Sequence, residues 1–121
     1  MLALVVGDRL RSQLILDSLI DKGIGVSYID KQEEINEKIL KDHGIERAKY
    51  LLALTNSDET NLFLCKMAKK VYGVSKTVAL VNNIDNLEFM EKQDIDFAIC
   101  ANLLLKDSIE DFFFKEEAKC M

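Results

Sequence analysis

The sequence predicts an α/β fold in which helices cover both faces of a five-stranded parallel sheet. Five short apolar runs alternate with segments of helical periodicity, which is typical of parallel strands joined by crossover helices. Right-handed crossovers favour the strand order 2-1-3-4-5, with a switch point between the first and third strands. The 121 residues are enough for one domain with its own core. We therefore expect a single three-layer sandwich over residues 1–121.

The first strand–helix–strand unit sets the frame of this fold. An apolar run, Leu2–Val6, ends at Gly7 and predicts a buried strand. A helix is predicted over Arg9–Lys22, and a second strand, Gly25–Ile29, is closed by Asp30. The apolar positions of the helix include Leu10, Leu14, Ile15 and Leu19. Strand, tight turn, helix, strand and acid in this order form the first half of a dinucleotide-binding, Rossmann-like fold.

The turn after the first strand departs from the usual phosphate cradle. That cradle reads G-x-G-x-x-G, and an acid at the end of the second strand binds the ribose hydroxyls. Here the six positions are Gly7-Asp8-Arg9-Leu10-Arg11-Ser12, so only the first glycine is present, while Asp30 follows Gly7 by 23 residues, near the expected spacing. A Cβ at the second glycine position intrudes on the pyrophosphate, whereas Ser12 is small enough to replace the third glycine.

Two interpretations of this turn stay open. In the first, Arg9 and Arg11 hold a phosphate group themselves, helped by the positive N-terminus of the helix. In the second, the turn no longer binds nucleotide and both arginines are solvated.

The middle of the chain predicts a short helix, a strand and a longer helix. Lys31–Asp42 carries Ile35, Ile39 and Leu40 on one helical face and ends at His43-Gly44, where Gly44 suits a left-handed position. His43 is interpreted as a helix-end residue rather than a catalyst or a ligand. Tyr50–Leu54 is the third strand. Asn56 and Glu59 have the spacing of a capping box for a helix over Glu59–Tyr72, which ends at Gly73. Its predicted buried residues are Leu62, Phe63, Cys65, Ala68 and Val71.

The remaining elements follow the same alternation. Thr77–Val81 is the fourth strand, and Asn82-Asn83 form the turn after it. Asp85 and Glu88 repeat the capping-box spacing over a short helix with Leu87, Phe89 and Met90. Phe97–Cys100 is the fifth strand, and the last helix runs from about Asn102 to Glu117.

The topology alone predicts where a ligand binds. In an open parallel sheet the ligand lies over the carboxyl ends of the strands at the switch point. The residues predicted there lie in Gly7–Ser12, at Asp30, in Thr55–Asp58 and in Asn82-Asn83.

Composition excludes several classes of function. The formal net charge of −5 argues against nucleic acid as the main partner. Met1 leads directly into the first strand, so no signal peptide is predicted, and no apolar run approaches the roughly 18 residues of a membrane span. The three cysteines, Cys65, Cys100 and Cys120, are widely spaced and fit a reducing cytoplasm better than a disulfide or zinc site. We expect Cys65 and Cys100 in the core and Cys120 as an idle thiol.

The last helix carries more apolar residues than one buried stripe requires. These residues are Leu103, Leu104, Leu105, Ile109, Phe112, Phe113 and Phe114. One interpretation is a partner surface, most simply a dimer seam through Leu104, Leu105, Ile109, Phe112 and Phe113. In the other, the tail folds back and buries these side chains within its own domain.

Five short motifs occur in order between Gly44 and Ile99. They are G-I-E-x-A before a strand, L-T-x-x-D-E-x-N-L into a helix, G-V-x-K-x-V-A, V-N-N-x-x-N-L-E and a final I-D-x-x-I. In this order they resemble the N-terminal nucleotide-binding domain of the regulator-of-K⁺-conductance (RCK) family, which includes the Trk- and Ktr-type cytoplasmic subunits. Together with the first strand–helix–strand unit, Leu2–Asp30, the resemblance covers nearly the whole chain.

The resemblance implies a sensor rather than an enzyme. In such domains NAD(H), ATP or ADP changes how paired subunits sit in a ring, and the ring gates a membrane pore. The resemblance to this family implies that Gly7 lies at the phosphate turn, Asp30 at the ribose and Thr55 near the phosphates. With the neighbouring positions, the candidate cofactor-binding residues are Gly7, Asp8, Arg9, Arg11, Ser12, Asp30, Lys31, Thr55, Asn56 and Asn82.

The sequence also departs from the family pattern. Between Asp30 and Asn36 the family has a helix, a strand and a G-D-x-[TS] turn, so this sheet is expected to lack one edge strand. Leu80 stands where many members have arginine, and we do not expect the ligand-binding domain that often follows the last helix. We therefore expect nucleotide affinity to be weak or absent.

The predicted function is a cytoplasmic regulatory subunit of a potassium transporter or channel that works by nucleotide-dependent or assembly-dependent gating. It would lie at the inner face of the membrane only through its transporter partner. The alternative is a small stand-alone sensor of NAD, ATP, ADP or AMP. A dehydrogenase is not expected, because it needs a substrate domain and an acid–base residue facing the nicotinamide.

Overall fold

A computed structural model of the chain describes the backbone of residues 1–30 and 32–120 and the side chains of residues 1–30 and 32–115. Five parallel strands form one sheet in the order β2-β1-β3-β4-β5, which confirms the predicted topology. The strands are β1 (Leu2–Gly7), β2 (Gly25–Asp30), β3 (Tyr50–Leu54), β4 (Lys76–Val81) and β5 (Phe97–Cys100). β2 and β5 are the two edges of this sheet.

Five helices flank the described part of the sheet. They are α1 (Arg9–Asp21), α2 (Glu37–Asp42), α3 (Asp58–Lys70), α4 (Leu87–Glu91) and α5 (Ala101–Cys120), with short 3₁₀ turns at Ile45–Arg47 and Ile84–Asn86. Apolar side chains alternate between the two sheet faces along each strand. Leu4 and Val6 of β1 belong to the larger core, under α2, α3 and α4, whereas Val5 packs with Leu16 of α1 on the other face.

The buried face of α1 differs from the predicted one. Leu10 and Leu14 are 88% and 81% exposed, while Ser12 and Leu16 are buried against the sheet. Ile15 and Leu19 flank that buried face, as predicted. The helix thus presents a second apolar pair to solvent, which periodicity alone did not separate from the buried stripe.

The predicted helix over Lys31–Asp42 is shorter in the structure. α2 begins at Glu37, because the side chain of Asn36 accepts a hydrogen bond from the Ile39 N–H (2.9 Å) and caps the helix there. The helix ends at His43, and Gly44 takes the expected left-handed conformation with φ of +91°. Lys31 lies outside the described residues.

The predicted capping box of α3 is wrong by one residue. Ser57, not Asn56, is the N-cap, and its side chain accepts a hydrogen bond from the Thr60 N–H (3.1 Å). The buried residues are Asn61, Leu64, Cys65 and Ala68, so Phe63 and Val71 are exposed and Leu62 lies at the margin of the core. Gly73 ends this segment with a positive φ, as predicted.

The second predicted capping box is also wrong. Asn83, rather than Asp85, caps the 3₁₀ turn before α4, and its side chain accepts a hydrogen bond from the Asp85 N–H (3.0 Å). Of the apolar residues in α4, Met90 is buried and Phe89 is exposed. Cys65 and Cys100 lie in the core, as predicted, and the side chain of Cys120 is outside the described residues.

α5 follows β5 without an intervening loop and exposes most of its apolar residues. Leu103 packs against the larger core. The other apolar side chains of the predicted partner surface are about half exposed or more, from 48% at Ile109 to 68% at Phe112. They are Leu104, Leu105, Ile109, Phe112, Phe113 and Phe114. The alternative interpretation, in which the tail buries them in its own domain, is therefore wrong for these residues. Within the part of the chain that the structure describes, no helix has the length and apolar character of a membrane span.

Candidate functional site

The carboxyl ends of β1, β2 and β3 bring the predicted site residues together. Gly7 pairs in register with Asp30 on one side and with Leu54 on the other, so Thr55 follows directly beside it. Asp8 is the N-cap residue of α1, and Arg9 and Arg11 lie in its first turn. The switch point predicted from the topology therefore carries most of the candidate residues.

Gly7 is required by the packing of the sheet itself. A Cβ added at this position would lie 2.5 Å from the carbonyl oxygen of Leu54, a distance far below van der Waals contact. The first glycine thus allows β1 and β3 to approach each other, whether or not a phosphate binds at the turn.

Tyr28, which sequence reasoning did not select, connects three of the predicted residues. Its hydroxyl donates a hydrogen bond to the Gly7 carbonyl oxygen (2.7 Å), and the Arg9 guanidinium lies over its ring, 5.2 Å from the centroid. Burial, followed by the negative charge of Asp30, raises the pKa of Tyr28 above its ordinary value. The Asp30 carboxylate also accepts a hydrogen bond from the Gln32 N–H (3.0 Å), which turns the chain after β2.

The other residues of the turn are held by contacts within the chain. Arg11 donates a hydrogen bond from its guanidinium to the Asn56 side-chain oxygen (3.4 Å), which links α1 to the segment after β3. Ser12 is fully buried against the sheet, as expected for a residue replacing the third glycine, and among the described residues its hydroxyl has no hydrogen-bond partner.

Thr55 is fixed by Asn61, a second residue that sequence reasoning missed. The Asn61 side-chain oxygen accepts hydrogen bonds from the Thr55 N–H (3.0 Å) and hydroxyl (2.7 Å). Its amide nitrogen donates to the carbonyl oxygens of Thr55 (3.0 Å) and Leu80 (2.8 Å). Asn61 is fully buried, and it therefore joins the ends of β3 and β4 inside the protein. Its signal was the asparagine of the L-T-x-x-D-E-x-N-L motif.

Asp58 holds the segment after β4. Its carboxylate accepts hydrogen bonds from the backbone N–H groups of Asn82 (2.6 Å) and Asn83 (3.0 Å). It also accepts from the side chains of Asn82 (2.9 Å) and Asn86 (2.8 Å). Burial alone would raise the pKa of this carboxyl, but the bonds from the three asparagines outweigh it and hold the pKa below its ordinary value. The D-E-x-N and V-N-N-x-x-N motifs thus meet in space.

Asn82 bonds within the chain through its amide nitrogen and both of its backbone groups. Besides its bonds to Asp58, its amide nitrogen donates to the Thr55 carbonyl oxygen (3.0 Å). Its own carbonyl oxygen accepts a hydrogen bond from the Asn102 side chain (3.3 Å) in the first turn of α5. Asn82 therefore connects the switch point to α5.

A cleft of about 540 Å³ opens beside the switch point. It is lined by Glu33, Ile35, Thr55, Asn56, Ser57, Thr60 and Phe63. Two predicted residues, Thr55 and Asn56, line this cleft, whereas Gly7, Arg9 and Asp30 do not. The described residues of its lining offer hydroxyl groups, one amide and one carboxylate but no cation, so they do not by themselves favour a phosphate group.

Other reactive groups in the described residues are engaged or buried. His43 has one ring nitrogen 3.1 Å from the Ser27 hydroxyl and the other 4.0 Å from a Glu33 carboxylate oxygen. Burial raises the pKa of the Cys65 thiol to about 12, which makes it a poor nucleophile. No group of three or more histidine, cysteine or acidic side chains in the described part of the chain could hold a metal ion.

Comparison with known proteins places this arrangement in a family. The family model of the TrkA-N domain matches residues 10–101, from the first turn of α1 to the first residue of α5. The chain belongs to the TrkA-N domain family. The five motifs between Gly44 and Ile99 all lie within the matched residues of this TrkA-N domain.

Two curated relatives are potassium uptake proteins. The Trk system potassium uptake protein TrkA of Halomonas elongata is 33% identical over 64 residues, and a TrkA homolog of Archaeoglobus fulgidus is 35% identical over 77 residues. The matches cover 53% and 58% of this chain but only 14% and 17% of the two relatives.

Solved structures share the fold of this TrkA-N domain. The GsuK channel bound to NAD matches 97% of this chain and 24% of the channel chain with a TM-score of 0.84 and 22% identity. GsuK bound to ADP matches 91% of this chain and 33% of that chain, with a TM-score of 0.79 and 22% identity. The TrkA-N domain of the inner membrane protein ybaL from Escherichia coli matches 91% of this chain and 94% of its own, with a TM-score of 0.64 and 15% identity.

Proposed function

We propose that this TrkA-N domain is a cytoplasmic regulatory subunit of a potassium transporter or channel and that it works by assembly through α5. Its curated relatives are Trk potassium uptake proteins, which supports the link to potassium. The exposed apolar face of α5 supports the assembly and is the observation that carries the proposal.

Part of the exposed apolar surface of α5 forms one stripe along the helix. Leu105, Ile109 and Phe112 follow one another at spacings of four and three residues, so they lie on one helical face. Phe113 extends this face and contacts Phe112 edge to face, with ring centroids 5.5 Å apart. Leu103, which packs against the core, lies on the other side. A stripe of this length exposed to water favours a partner helix.

Nucleotide binding is the second part of the proposal. The switch point has the strand order of a nucleotide site, and the related GsuK fold was solved with NAD and with ADP. Several predicted contact groups are already bonded within the chain, which supports weak binding. Gating by nucleotide would then act through Asn82 and Asn102, which connect the switch point to α5.

We further propose that the chain is not an enzyme. A hydride-transfer site needs an acid–base group near the carboxyl ends of the strands. His43 instead contacts Ser27, in the middle of β2, and the acid Asp58 is held ionised by four hydrogen bonds. These contacts favour structural roles for both residues.

The assembly is tested by measuring the mass of the full chain in solution by light scattering. We expect a dimer or a larger species, and a monomer after the double substitution Phe112→Ser and Phe113→Ser. Phe63→Ser is the matched control, because Phe63 is a similarly exposed phenylalanine on α3. A wild-type chain that is strictly monomeric would contradict the proposal, and a monomer that binds nucleotide would favour the stand-alone sensor.

The link to potassium is tested in cells of the source organism from which the gene has been deleted. We expect potassium uptake, followed with radioactive rubidium, to change on deletion and to be restored by the wild-type chain but not by the Phe112→Ser, Phe113→Ser chain. Unchanged uptake after deletion would contradict a role in potassium transport.

A further inference from the structure

We propose that Tyr28 is a built-in competitor for the nucleotide: its side chain lies at the carboxyl ends of β1 and β2, where the adenosine diphosphate moiety of a ligand would bind. This inference rests on the nucleotide part of the proposed function and adds to it a residue that controls affinity. We call the contacts of Tyr28 with Gly7 and Arg9, together with its place beside Asp30, the Tyr28 lock.

The first contact of the Tyr28 lock lies across two neighbouring strands. The Tyr28 hydroxyl donates to the Gly7 carbonyl oxygen (2.7 Å) at the end of β1. Gly7 and Asp30 are register partners, and Asp30 lies two residues after Tyr28 on the same face of β2. The phenol hydroxyl thus sits between the phosphate turn and the acid that would bind the ribose.

The second contact engages a cation of the turn. The Arg9 guanidinium lies over the Tyr28 ring, 5.2 Å from its centroid, although Arg9 is itself exposed. The stacking places the face of the guanidinium on the ring, while its in-plane N–H groups stay able to donate. It ties the position of Arg9 to Tyr28, so a phosphate that needs Arg9 elsewhere at the helix N-terminus has to draw it off the ring.

The third part of the Tyr28 lock is the place of the phenol beside Asp30. Asp30 pairs in register with Gly7, whose carbonyl oxygen accepts the hydrogen bond of the phenol. Burial, followed by the charge of Asp30, raises the pKa of Tyr28. A ribose hydroxyl would have to take the place of this phenol beside Asp30. A ligand therefore breaks the Tyr28 lock before it gains its own bonds, which lowers its apparent affinity.

Two substitutions open the Tyr28 lock while keeping an apolar side chain at this position. Tyr28→Phe deletes only the hydroxyl, and Tyr28→Leu also removes the stacking surface for Arg9 while keeping an apolar side chain against α1. Tyr72→Phe is the matched control, since the Tyr72 hydroxyl contacts Glu37 (3.5 Å) on α2, away from the switch point.

The experiment measures the affinity of the full-length wild-type chain and the three variants for ADP and for NAD⁺ by isothermal titration calorimetry. Circular dichroism first establishes that each variant is folded. We expect Tyr28→Phe to bind at least one of the two nucleotides roughly five- to tenfold more tightly than the wild type, because one hydrogen bond no longer has to be broken. Tyr28→Leu should bind at least as tightly as Tyr28→Phe, and Tyr72→Phe should match the wild type.

Equal or weaker affinity in folded Tyr28→Phe and Tyr28→Leu, or no binding by either, would overturn the inference. Light scattering on the same samples separates this outcome from the proposed function. If the chain still assembles through α5, only the role of Tyr28 is lost, whereas a monomeric wild type overturns the assembly regardless of the affinities.

Discussion

Asp58 lies at the start of α3, where its carboxylate accepts four hydrogen bonds from three asparagines of the segment after β4. A carboxylate at a helix N-terminus is also stabilised by the helix dipole. Hydrogen bonds to a charged acceptor are stronger than neutral ones, so this residue fixes the path of the chain between β4 and α4. The same segment carries Asn82, which contacts both Thr55 and α5.

The substitution Asp58→Asn should lower the free energy of unfolding at neutral pH by about 2 kcal/mol, because an amide cannot accept all four bonds. The pKa of Asp58 is lowered in the folded chain from the ordinary value of 3.8. Its stabilisation is therefore fully present above pH 3.8 and is lost as the pH falls through the lower pKa of the folded state. Urea unfolding of both chains as a function of pH measures this difference.

Asp85→Asn is the control for this prediction, because Asp85 is an exposed acid in the same segment. It should change the unfolding free energy little at any pH. A difference between wild type and Asp58→Asn that stays constant down to the lowest pH at which the chain folds would show that the charge of Asp58 is not responsible.

Residue positions at the switch point were more predictable than residue roles. Topology alone placed Gly7, Asp30, Thr55 and Asn82 at the carboxyl ends of the strands, because parallel strands end on the same side of the sheet. The structure shows that Thr55 and Asn82 bond to Asn61 and Asp58 instead of pointing freely at a ligand. Such pairings depend on how each loop turns after its strand, and residue spacing carries no information about that turn.

At the scale of elements, the strands were predicted better than the helix faces. Strands covered on both faces are continuous apolar runs, which leaves little ambiguity in their bounds. The face of α1 was predicted partly wrong because Leu10 and Leu14 are apolar and exposed, and the cap of α3 was assigned to Asn56 instead of Ser57. An exposed apolar residue gives the same sequence signal as a buried one. Likewise, two adjacent residues that can both cap a helix cannot be told apart from their spacing.

The approach of β1 to β3 provides a test at this scale. Gly7→Ala should lower the unfolding free energy by about 2 kcal/mol or more, because the new Cβ would lie 2.5 Å from the Leu54 carbonyl oxygen and the two strands would have to move apart. Thermal or urea unfolding measures the loss without any nucleotide present. This result would assign Gly7 to packing independently of a phosphate role.

Gly25→Ala is the matched control for Gly7→Ala. Gly25 also lies at the end of a strand, as the first residue of β2. A Cβ there would lie 3.3 Å from the Met1 carbonyl oxygen, a contact that a small shift relieves. Its effect should be clearly smaller. Equal stability of Gly7→Ala and the wild type would show that β1 and β3 adjust freely, which would return the glycine to a role in ligand binding.

At the scale of the whole molecule, assembly and stability should be coupled. A dimer that forms only from folded chains makes the melting temperature depend on protein concentration. For a dimer of this size, each tenfold increase in concentration should raise Tm by about 2–4 °C, since the dissociation term grows by about 1.4 kcal/mol. The Phe112→Ser, Phe113→Ser chain should show no such dependence, because those side chains are exposed within one chain and their loss leaves its core intact.

Calorimetry over a hundredfold range of concentration makes the comparison, with Phe63→Ser as control. A wild-type Tm that does not change over this range would mean that α5 does not join folded chains, and the apolar stripe would then need a different partner, such as the membrane transport protein itself.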